Sequence, residues 1–315
     1  MQTELDVSKN TKLKSLSCNL NLLTDLDLSK NTVLENLYCR GNKIYGTKMD
    51  NLVNSLPSGG GNLYVYGNDD AEGNEMTTLQ VAAAKEKGWQ VKMWDGSSFV
   101  DYAGAPVIAI DETTFPNTIF RNWILSQDYG NDGYLTEKEI ASVGMIEVDN
   151  KSIDDLTGIE LFTALKTLEC DNNQLTALDL SNNKKLEELL CYGNKIHGEG
   201  METLVNSLHQ GGGTLNVYTT ETTDGNKITT EQVAAANAKG WKVYLWDNGL
   251  AAYSGVLLGD ANNDTEVNVT DIVAIVSHLK GSDVEGFSLP AADVNDDGQA
   301  DEKDIELIQQ MIMGK

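Results

Sequence analysis

Residues 165–175 read LKTLECDNNQL and residues 186–196 read LEELLCYGNKI, so leucine, cysteine and asparagine recur at one spacing. The same spacing occurs at residues 13–23 (LKSLSCNLNLL) and 34–44 (LENLYCRGNKI), and neighbouring copies are 21 residues apart. A unit this short cannot bury its apolar side chains alone, whereas stacked units bury a continuous core. The spacing therefore predicts one short strand from each unit, paired in parallel, with leucine and cysteine pointing inward.

The repeats are themselves duplicated along the chain. Cys18 and Trp94 recur as Cys170 and Trp246, each 152 positions later. The same offset links Asn42, Leu56, Val65, Ala84 and Trp89 to Asn194, Leu208, Val217, Ala236 and Trp241. The pattern resembles the leucine-rich-repeat family, in the cysteine-containing form found in Bacteroidetes proteins. It predicts an α/β fold, a leucine-rich-repeat solenoid in two tandem blocks.

The later part of each block is expected to alternate between helix and strand. An alanine-rich helix is predicted over residues 77–87, with Thr77 as its N-cap and Gly88 as its C-cap. The second block repeats this arrangement with Thr229 and Gly240. Such alternation would continue the solenoid.

Two acidic loops share a different spacing. Residues 260–271 read DANNDTEVNVTD and residues 293–304 read DVNDDGQADEKD. Both place oxygen-bearing side chains at loop positions 1, 3, 5, 9 and 12, the spacing with which a twelve-residue loop surrounds Ca²⁺. With position 7, the candidate ligands are Asp260, Asn262, Asp264, Glu266, Asn268, Asp271, Asp293, Asn295, Asp297, Gln299, Asp301 and Asp304. Two calcium sites are predicted, with metal-free acidic surface loops as the alternative.

Residues 259–315 resemble a type I dockerin, a small all-α calcium-binding module with paired EF-hand-like loops. In that family the twelfth residue of each loop is Asp, which Asp271 and Asp304 match. Two positions depart from the family: Thr265 stands where the sharp turn favours glycine, and Ala300 replaces a branched apolar residue. Because clustered carboxylates repel one another without the ion, we expect Ca²⁺ binding to be coupled to folding of this module.

The dockerin resemblance also implies a partner. Dockerins bind cohesin modules through residues near the helix starts, which here are Val269 and Thr270 in the first repeat and Glu302 and Lys303 in the second. Since the two pairs differ, a partner is not expected to contact both repeats equally. The resemblance further implies a link to polysaccharide-degrading assemblies.

A third loop, residues 128–139, reads DYGNDGYLTEKE. Gly130 leaves its position 3 without a side-chain oxygen, and a helix is predicted before the loop, from Phe115 to Leu125. The segment resembles the N-terminal helical cap of Bacteroidetes leucine-rich-repeat proteins. Two interpretations remain open, a weaker calcium site or a structural cap without metal. The candidate ligands are Asp128, Asp132, Tyr134, Thr136 and Glu139.

Aromatic side chains are predicted on the concave surface, which solenoids use for binding. If the leucines and cysteines point inward, the residues that alternate with them point outward. Aromatic rings with a polar tip suit sugars or peptide side chains. As an alternative, Trp94 and Trp246 cover the solenoid end by packing on Tyr102 or Tyr253. The candidate ligand-binding residues are Tyr38, Arg40, Tyr64, Tyr66, Trp94, Tyr192, Tyr218, Tyr244 and Trp246.

Composition excludes several classes of protein. The formal net charge of −25 argues against nucleic-acid binding, and the apolar runs are too short for a membrane span. The sequence contains none of the spacings typical of zinc sites, nucleophile elbows or phosphate-binding loops, so an enzyme is not predicted. The four cysteines occupy inward strand positions with parallel Cβ directions. We therefore predict buried thiols rather than disulfides.

These features together predict an extracellular or cell-surface binding protein without catalytic activity. Its solenoid would recognise a protein or glycan, while the dockerin-like module binds Ca²⁺ and docks to a cohesin-like partner. The alternatives are an adhesion protein whose calcium module is a structural cap, and an accessory subunit of a polysaccharide-degrading system. No signal peptide is visible at Met1 and the chain opens within a repeat, so export and capping sequence is expected upstream. The predicted domains are 1–104 (first block), 105–145 (EF-hand-like cap), 146–255 (second block) and 256–315 (dockerin-like module).

Overall fold

The first leucine repeats form a sheet whose strands follow sequence order. The computed structural model describes residues 1–68, 73–219, 225–247 and 249–314. The first four strands pair in parallel, because each repeat completes one turn of the coil and its strand runs in the same direction as the one before. The fifth strand pairs antiparallel with the fourth. They are β1 (Ser15–Ser17), β2 (Asn36–Tyr38), β3 (Gly61–Gly67), β4 (Trp89–Trp94) and β5 (Phe99–Asp101). Helix α1 (Gly46–Ser55) connects β2 to β3, and α2 (Thr78–Glu86) connects β3 to β4.

A segment of short elements follows this first sheet. Strands β6 (Val107–Ala109) and β7 (Tyr134–Thr136) pair antiparallel and bracket helix α3 (Thr118–Leu125). Helix α4 (Glu137–Ser142) follows β7 directly. The chain divides into two compact units, one of residues 1–114 and 124–139, the other of residues 115–123 and 140–315. The predicted cap at 105–145 therefore contributes residues to both units.

The second sheet has the same design with one additional strand at its start. Five strands pair in parallel and the last pairs antiparallel. They are β8 (Met145–Glu147), β9 (Thr167–Glu169), β10 (Glu188–Leu190), β11 (Gly213–Thr219), β12 (Trp241–Trp246) and β13 (Leu250–Ala252). A 3-10 helix (Ile159–Leu161) connects β8 to β9, α5 (Gly198–Ser207) connects β10 to β11, and α6 (Thr230–Ala238) connects β11 to β12.

Buried asparagines hold neighbouring coils together. Asn42 donates from Nδ2 to the carbonyl oxygens of Cys18 (3.0 Å) and Cys39 (2.7 Å), and its Oδ1 accepts the amide of Leu23 (3.0 Å). One side chain thereby pairs with buried backbone groups of two adjacent coils.

The cysteines lie in the core next to these asparagines. All four are buried, and none forms a disulfide in the described part of the chain, so the prediction of buried thiols is confirmed. Burial raises the pKa of Cys18 to about 11 and raises the pKa of Cys170 further. A thiol with so high a pKa is not a reactive nucleophile at neutral pH.

The helix caps confirm part of the sequence prediction. Thr77 is the N-cap of α2, where its Oγ1 accepts the amide of Gln80 and its own amide donates to Gln80 Oε1, and Thr229 forms the same capping box with its own glutamine. The predicted C-caps are wrong by one residue. Lys87 is the C-cap of α2, and Gly88 follows with a φ of +89°, a left-handed conformation that glycine adopts without strain. The same shift applies to Gly240.

Helices make up the regular structure in the described part of residues 257–314. They are α7 (Val269–Leu279), α8 (Leu289–Ala292) and α9 (Glu302–Met313). Asn268 and Asp301 cap α7 and α9, so each helix begins inside one of the acidic loops. Ile275 and Ile308 are fully buried in a small core of their own, which Ala300 also joins. Among the described residues, no helix combines the length and apolar character that crossing a membrane requires.

Candidate functional site

The carboxylate at position 1 of each acidic loop accepts two backbone amides. Asp260 accepts those of Asp264 (2.9 Å) and Thr265 (2.8 Å), and Asp293 repeats both bonds at 3.1 and 2.9 Å. Both carboxylates are buried. The loop backbone is thus wrapped around its first carboxylate.

The carboxylate at position 12 closes each loop from the other side. Asp271 accepts the amides of Asn262 (3.2 Å) and Asn268 (2.8 Å), and Asp304 forms the equivalent network in the second loop. Both side chains are fully buried. A buried carboxylate is costly without compensation, which amides supply in part and a cation would complete.

The donor set of these loops is chemically suited to Ca²⁺. Every predicted ligand offers oxygen, from carboxylates, amide side chains or a backbone carbonyl at position 7, and Ca²⁺ takes six to eight oxygens. Within the described ranges, no three His, Cys, Asp or Glu side chains already stand together as a metal-binding group. The position-5 carboxylates, Asp264 and Asp297, are exposed.

One loop is more strained than the other at position 6. Thr265 has a φ of +72°, and Gly298 occupies the equivalent position with a φ of +86°. The left-handed conformation is unfavourable for a β-branched residue. The departure from the dockerin pattern noted in the sequence therefore carries a conformational cost, although the turn itself is retained.

The third loop retains only part of this network. The carboxylate of Asp132 accepts the amide of Tyr134 (3.0 Å), and Glu139 Oε2 accepts the amide (2.8 Å) and hydroxyl (3.0 Å) of Thr136. At position 6, however, the amide of Gly133 donates to the carbonyl of Gly130. In the other two loops the amide at position 6 donates to the carboxylate at position 1. The residue at position 1 of the third loop is Asp128.

Packing explains why this loop has glycine at position 3. A Cβ atom added to Gly130 would lie 2.5 Å from the carbonyl oxygen of Ile124, too close for any side chain without backbone movement. Burial raises the pKa values of Asp132 and Glu139. A cation bound in this loop would lower these two pKa values, because it would favour the charged carboxylates.

The predicted partner-docking residues lie at the first turns of α7 and α9. Val269 and Thr270 are exposed, and Val269 has 64% of its surface accessible. One turn later Val273 is 60% accessible, so the start of α7 presents apolar side chains to solvent. Glu302 and Lys303 are also exposed, and Lys303 contacts the carboxylate of Asp297 at 3.2 Å. The two repeats therefore differ in chemistry as well as in sequence.

Four aromatic residues of the first sheet form one cluster. The rings of Tyr38 and Tyr64 stack with centroids 4.3 Å apart, and Phe99 packs edge-on against Tyr64 (4.5 Å) and Trp94 (5.1 Å). Arg40 lies over the Trp94 ring, 6.0 Å from its centroid. Phe99 was not among the predicted residues, because it lies on β5, an antiparallel strand outside the repeat pattern.

A register shift interrupts the strands that carry the predicted aromatic residues. Between Tyr64 and Tyr66 the pairing of β3 with β4 slips by one residue, so Tyr66 lies beside Met93 and not beside Trp94. The pairing of β11 with β12 slips at the equivalent place, so Tyr218 lies beside Leu245 rather than Trp246. A bulge of this kind inserts one extra residue and re-aims the following side chains.

The ring contacts of the tryptophans differ in their partners from those of the alternative interpretation. Tyr66 and Tyr218 stack on Tyr102 (5.0 Å) and Tyr253 (5.1 Å), the partners that the alternative interpretation had given to the tryptophans. Trp94 instead packs on Phe99. In the second sheet, Trp246 is 42% exposed and stacks loosely on Tyr192, at 6.4 Å, while Tyr244 is half-buried.

The second sheet carries an acidic row that the predicted site did not include. Glu147 and Glu169 are register partners on β8 and β9, and Asp171 follows two residues after Glu169. Burial raises the pKa of Glu169, and the surrounding carboxylates raise it further. Burial and the nearby Asp149 likewise raise the pKa of Asp171. The equivalent part of the first sheet has Ser17 and Asn19.

Comparisons with known proteins support the two halves of this description. Residues 258–313 match the dockerin type I domain. Internalin J of Listeria monocytogenes serotype 4b (strain F2365) is 43% identical over 49 residues, which are 16% of this chain and 5% of that protein. The match to internalin J thus spans only a small part of its length.

Two solved structures give weaker overall likenesses. Internalin C2 of Listeria monocytogenes str. 4b F2365 superposes with a TM-score of 0.32 and 19% identity, over 45% of this chain and 69% of that chain. The functional domain of Listeria monocytogenes internalin J, which includes a cysteine ladder, gives a TM-score of 0.23 and 20% identity, over 78% of this chain and 48% of that one. Residues 258–313 of the chain are therefore a type I dockerin domain, and a stretch of 49 residues is similar in sequence to internalin J.

Proposed function

We propose that this protein is a non-catalytic, extracellular or cell-surface binding protein. Its solenoid recognises a protein or glycan, and its dockerin domain binds Ca²⁺ and docks to a cohesin-like module. One observation carries the proposal: two loops of the dockerin domain repeat the same network of amides around buried carboxylates at positions 1 and 12. That duplication supports two calcium sites, formed by the twelve ligands predicted from sequence.

The exposed face of α7 is the better candidate for the docking surface. Val269 and Val273 expose apolar surface at the start of α7, where α9 has Glu302 and Glu306. The centre of a protein interface is depleted in charged residues and packs apolar side chains. Docking through Val269 and Thr270 is therefore favoured over docking through Glu302 and Lys303.

The concave face of the solenoid is proposed as the second binding surface. In the first sheet it offers the cluster of Tyr38, Tyr64 and Trp94 beside Arg40. In the second sheet it offers Tyr192, Tyr244 and Trp246 near the acidic row. The two sheets therefore favour different ligands, aromatic contacts with a cation in the first and a more negative surface in the second.

The domain limits predicted from sequence are retained as part of the proposal. They are 1–104, 105–145, 146–255 and 256–315. The positions of β1–β5, β6–α4, β9–β13 and α7–α9 within these ranges support them, and β8 begins one residue before the third range. The loop at 128–139 is proposed as a structural element rather than a strong calcium site. Its missing position-3 ligand and altered amide at position 6 support that choice.

Binding of the whole chain to an immobilised cohesin module tests the proposal. Binding should require Ca²⁺, be reversed by EDTA, and be lost when Asp260→Ala and Asp293→Ala are combined. Calorimetric titration of Ca²⁺ into the metal-stripped chain should show two sites that the double variant lacks. Absence of calcium binding at millimolar concentration would overturn the calcium sites, and calcium-independent cohesin binding would overturn the coupling of docking to the ion.

A further inference from the structure

The second calcium loop is attached to the solenoid through a residue that is not a predicted ligand. Asp296, at loop position 4, contacts Nδ1 of His197 at 2.5 Å and Nζ of Lys227 at 3.0 Å. Lys227 also donates to the backbone carbonyl of Asp293, the first residue of the loop, at 2.6 Å. One lysine therefore holds both the backbone and a carboxylate of the loop.

This contact is partly shielded from solvent. Lys227 has only 11% of its side chain accessible and Asp296 has 26%, so the ion pair is less screened than a surface pair. A cleft of about 290 Å³ lies beside it, lined by His197, Tyr218, Lys227, Leu289, Pro290 and Asp296. The dockerin domain and the last coils of the second sheet thus share a contact that contains both apolar and charged groups.

In the first block, the third loop (residues 128–139) contacts the surface that corresponds to this contact in the second block. Tyr45, Gly46 and Gly73 precede His197, Gly198 and Gly225 by the 152 positions that separate the two blocks. Lys138 Nζ donates to the carbonyl of Gly73 (2.9 Å) and lies over the ring of Tyr45, 5.4 Å from its centroid.

The adjacent glycines show the same correspondence. A Cβ added to Gly46 would lie 3.8 Å from the carboxylate of Glu139, and one added to Gly198 would lie 2.9 Å from that of Asp296. Each glycine therefore lies directly beneath an acidic side chain of an EF-hand-like loop.

The charges at the two contacts are reversed. Glu75 occupies in the first block the position that Lys227 occupies in the second. Lys138, the cation of the third loop, lies near Glu75, whereas the dockerin loop presents the anion Asp296 to Lys227. Exchanging the loops would bring like charges together, so each surface suits only its own loop.

We propose that each block has a dedicated site for an EF-hand-like loop, here called the loop-docking surface. It consists of Tyr45, Gly46, Gly73 and Glu75 in the first block, and of His197, Gly198, Gly225 and Lys227 in the second. In the second block, docking couples calcium occupancy of loop 293–304 to the stability of the adjacent coils. This inference rests on the proposed calcium sites. Because Asp296 lies between two predicted ligands, Asn295 and Asp297, an ion that orders the loop also orders the group that Lys227 holds.

Hydrogen exchange of the full chain, with and without Ca²⁺, tests the coupling. Saturating Ca²⁺ should slow amide exchange in residues 225–246 by a factor of about 5 or more. Lys227→Glu should remove this effect, and Lys227→Met, which keeps an apolar stem, should weaken it. Lys184→Glu makes the same charge change at an exposed lysine elsewhere in the second block and should leave the effect intact. Lys227→Glu combined with Asp296→Lys should restore part of it.

Calcium titration of the same samples separates two kinds of failure. If the wild type binds Ca²⁺ but protection of residues 225–246 does not change, or changes equally in Lys227→Glu, the coupling is overturned while the calcium sites stand. If the wild type binds no Ca²⁺, the calcium sites and the coupling are both overturned.

Discussion

Asn42 and Asn194 make the same three hydrogen bonds in the two sheets. Each donates to two cysteine carbonyls of neighbouring coils and accepts the amide of a leucine, with distances between 2.7 and 3.0 Å. Both are 1% exposed. The sequence repeat is therefore a repeat of hydrogen bonds as well as of apolar side chains.

Replacing Asn194 with alanine should destabilise the second sheet strongly. The buried amide of Leu175 would lose its hydrogen bond to Asn194, at a cost of about 1–3 kcal/mol for an unsatisfied group. The carbonyls of Cys170 and Cys191 would each lose one bond but keep another, from Asn173 and Asn226, so a total loss of about 2 kcal/mol or more is expected. Urea unfolding of the full chain measures it. Asn182→Ala, at an exposed turn of the same block, is the matched control and should change the unfolding free energy by less than about 0.5 kcal/mol. Equal effects from the two variants would contradict the structural role of Asn194.

Replacing Thr265 with glycine should stabilise the calcium-loaded dockerin domain. Thr265 has a φ of +72°, and release of that strain is worth about 1 kcal/mol. Denaturant unfolding in saturating Ca²⁺ measures the change. Gly298→Thr is the mirror experiment and should lower stability by a similar amount. If both substitutions were neutral, the two turns would not carry the strain described.

Introducing a charge on α7 should weaken docking without unfolding the domain. Val269→Asp places a carboxylate at the first helical position, where the helix dipole favours it, so the helix should remain intact. It should nevertheless remove the apolar anchor and weaken cohesin binding by about 30-fold, the loss typical of an interface hot spot. Surface plasmon resonance in Ca²⁺ measures the affinity. Glu302→Ala on α9 is the control, and a larger loss there would assign docking to the other repeat.

Replacing Asp171 with asparagine should stabilise the solenoid at neutral pH. Burial raises the pKa of Asp171, and Asp149 adds to the effect, so the folded state holds the proton more tightly than the unfolded chain. The pKa of Asp171 is about 3.9 in the unfolded chain and higher in the folded protein. The contribution of this side chain to the stability of the folded protein therefore falls as the pH rises through these two values. The variant should melt a few degrees higher than wild type at pH 7, and at the same temperature as wild type at pH 3. A difference independent of pH would contradict this cause.

Trp246 and Tyr218 should respond differently to truncation. Trp246 is 42% exposed, so Trp246→Ala should reduce ligand binding with little change in melting temperature. Tyr218 stacks on Tyr253, and Tyr218→Ala should lower stability by about 1–3 kcal/mol. Thermal melts together with a glycan and peptide binding screen compare them. If Tyr218→Ala left the melting temperature unchanged, its ring would belong to the binding surface instead.

The regular parts of the molecule were predictable from the sequence because they repeat. The positions of Cys18 and Asn42, the N-caps at Thr77 and Thr229, and the two acidic loops each follow from a spacing. The bulge between Tyr64 and Tyr66 could not be predicted, because a one-residue slip depends on how β4 packs and leaves no periodic signal. Phe99 was missed for a related reason, since an end strand belongs to no repeat.

The contact of Asp296 with Lys227 was also beyond sequence analysis. Asp296 lies at a loop position that calcium does not need, and Lys227 lies outside every motif. Their meeting depends on how the dockerin domain packs against the second sheet, and only tertiary structure specifies that. The 152-residue offset did contain one signal, the exchange of Glu75 for Lys227 at equivalent positions.

The antiparallel strands β5 and β13 have a consequence for how such chains change in length. Each is the last strand of its sheet and pairs antiparallel, outside the parallel repeat. A 21-residue unit inserted between β1 and β2, or between β9 and β10, would instead find the same asparagine and cysteine partners on both sides. Each sheet can therefore widen by whole units through recombination within the gene, while its last strand keeps its place at the end.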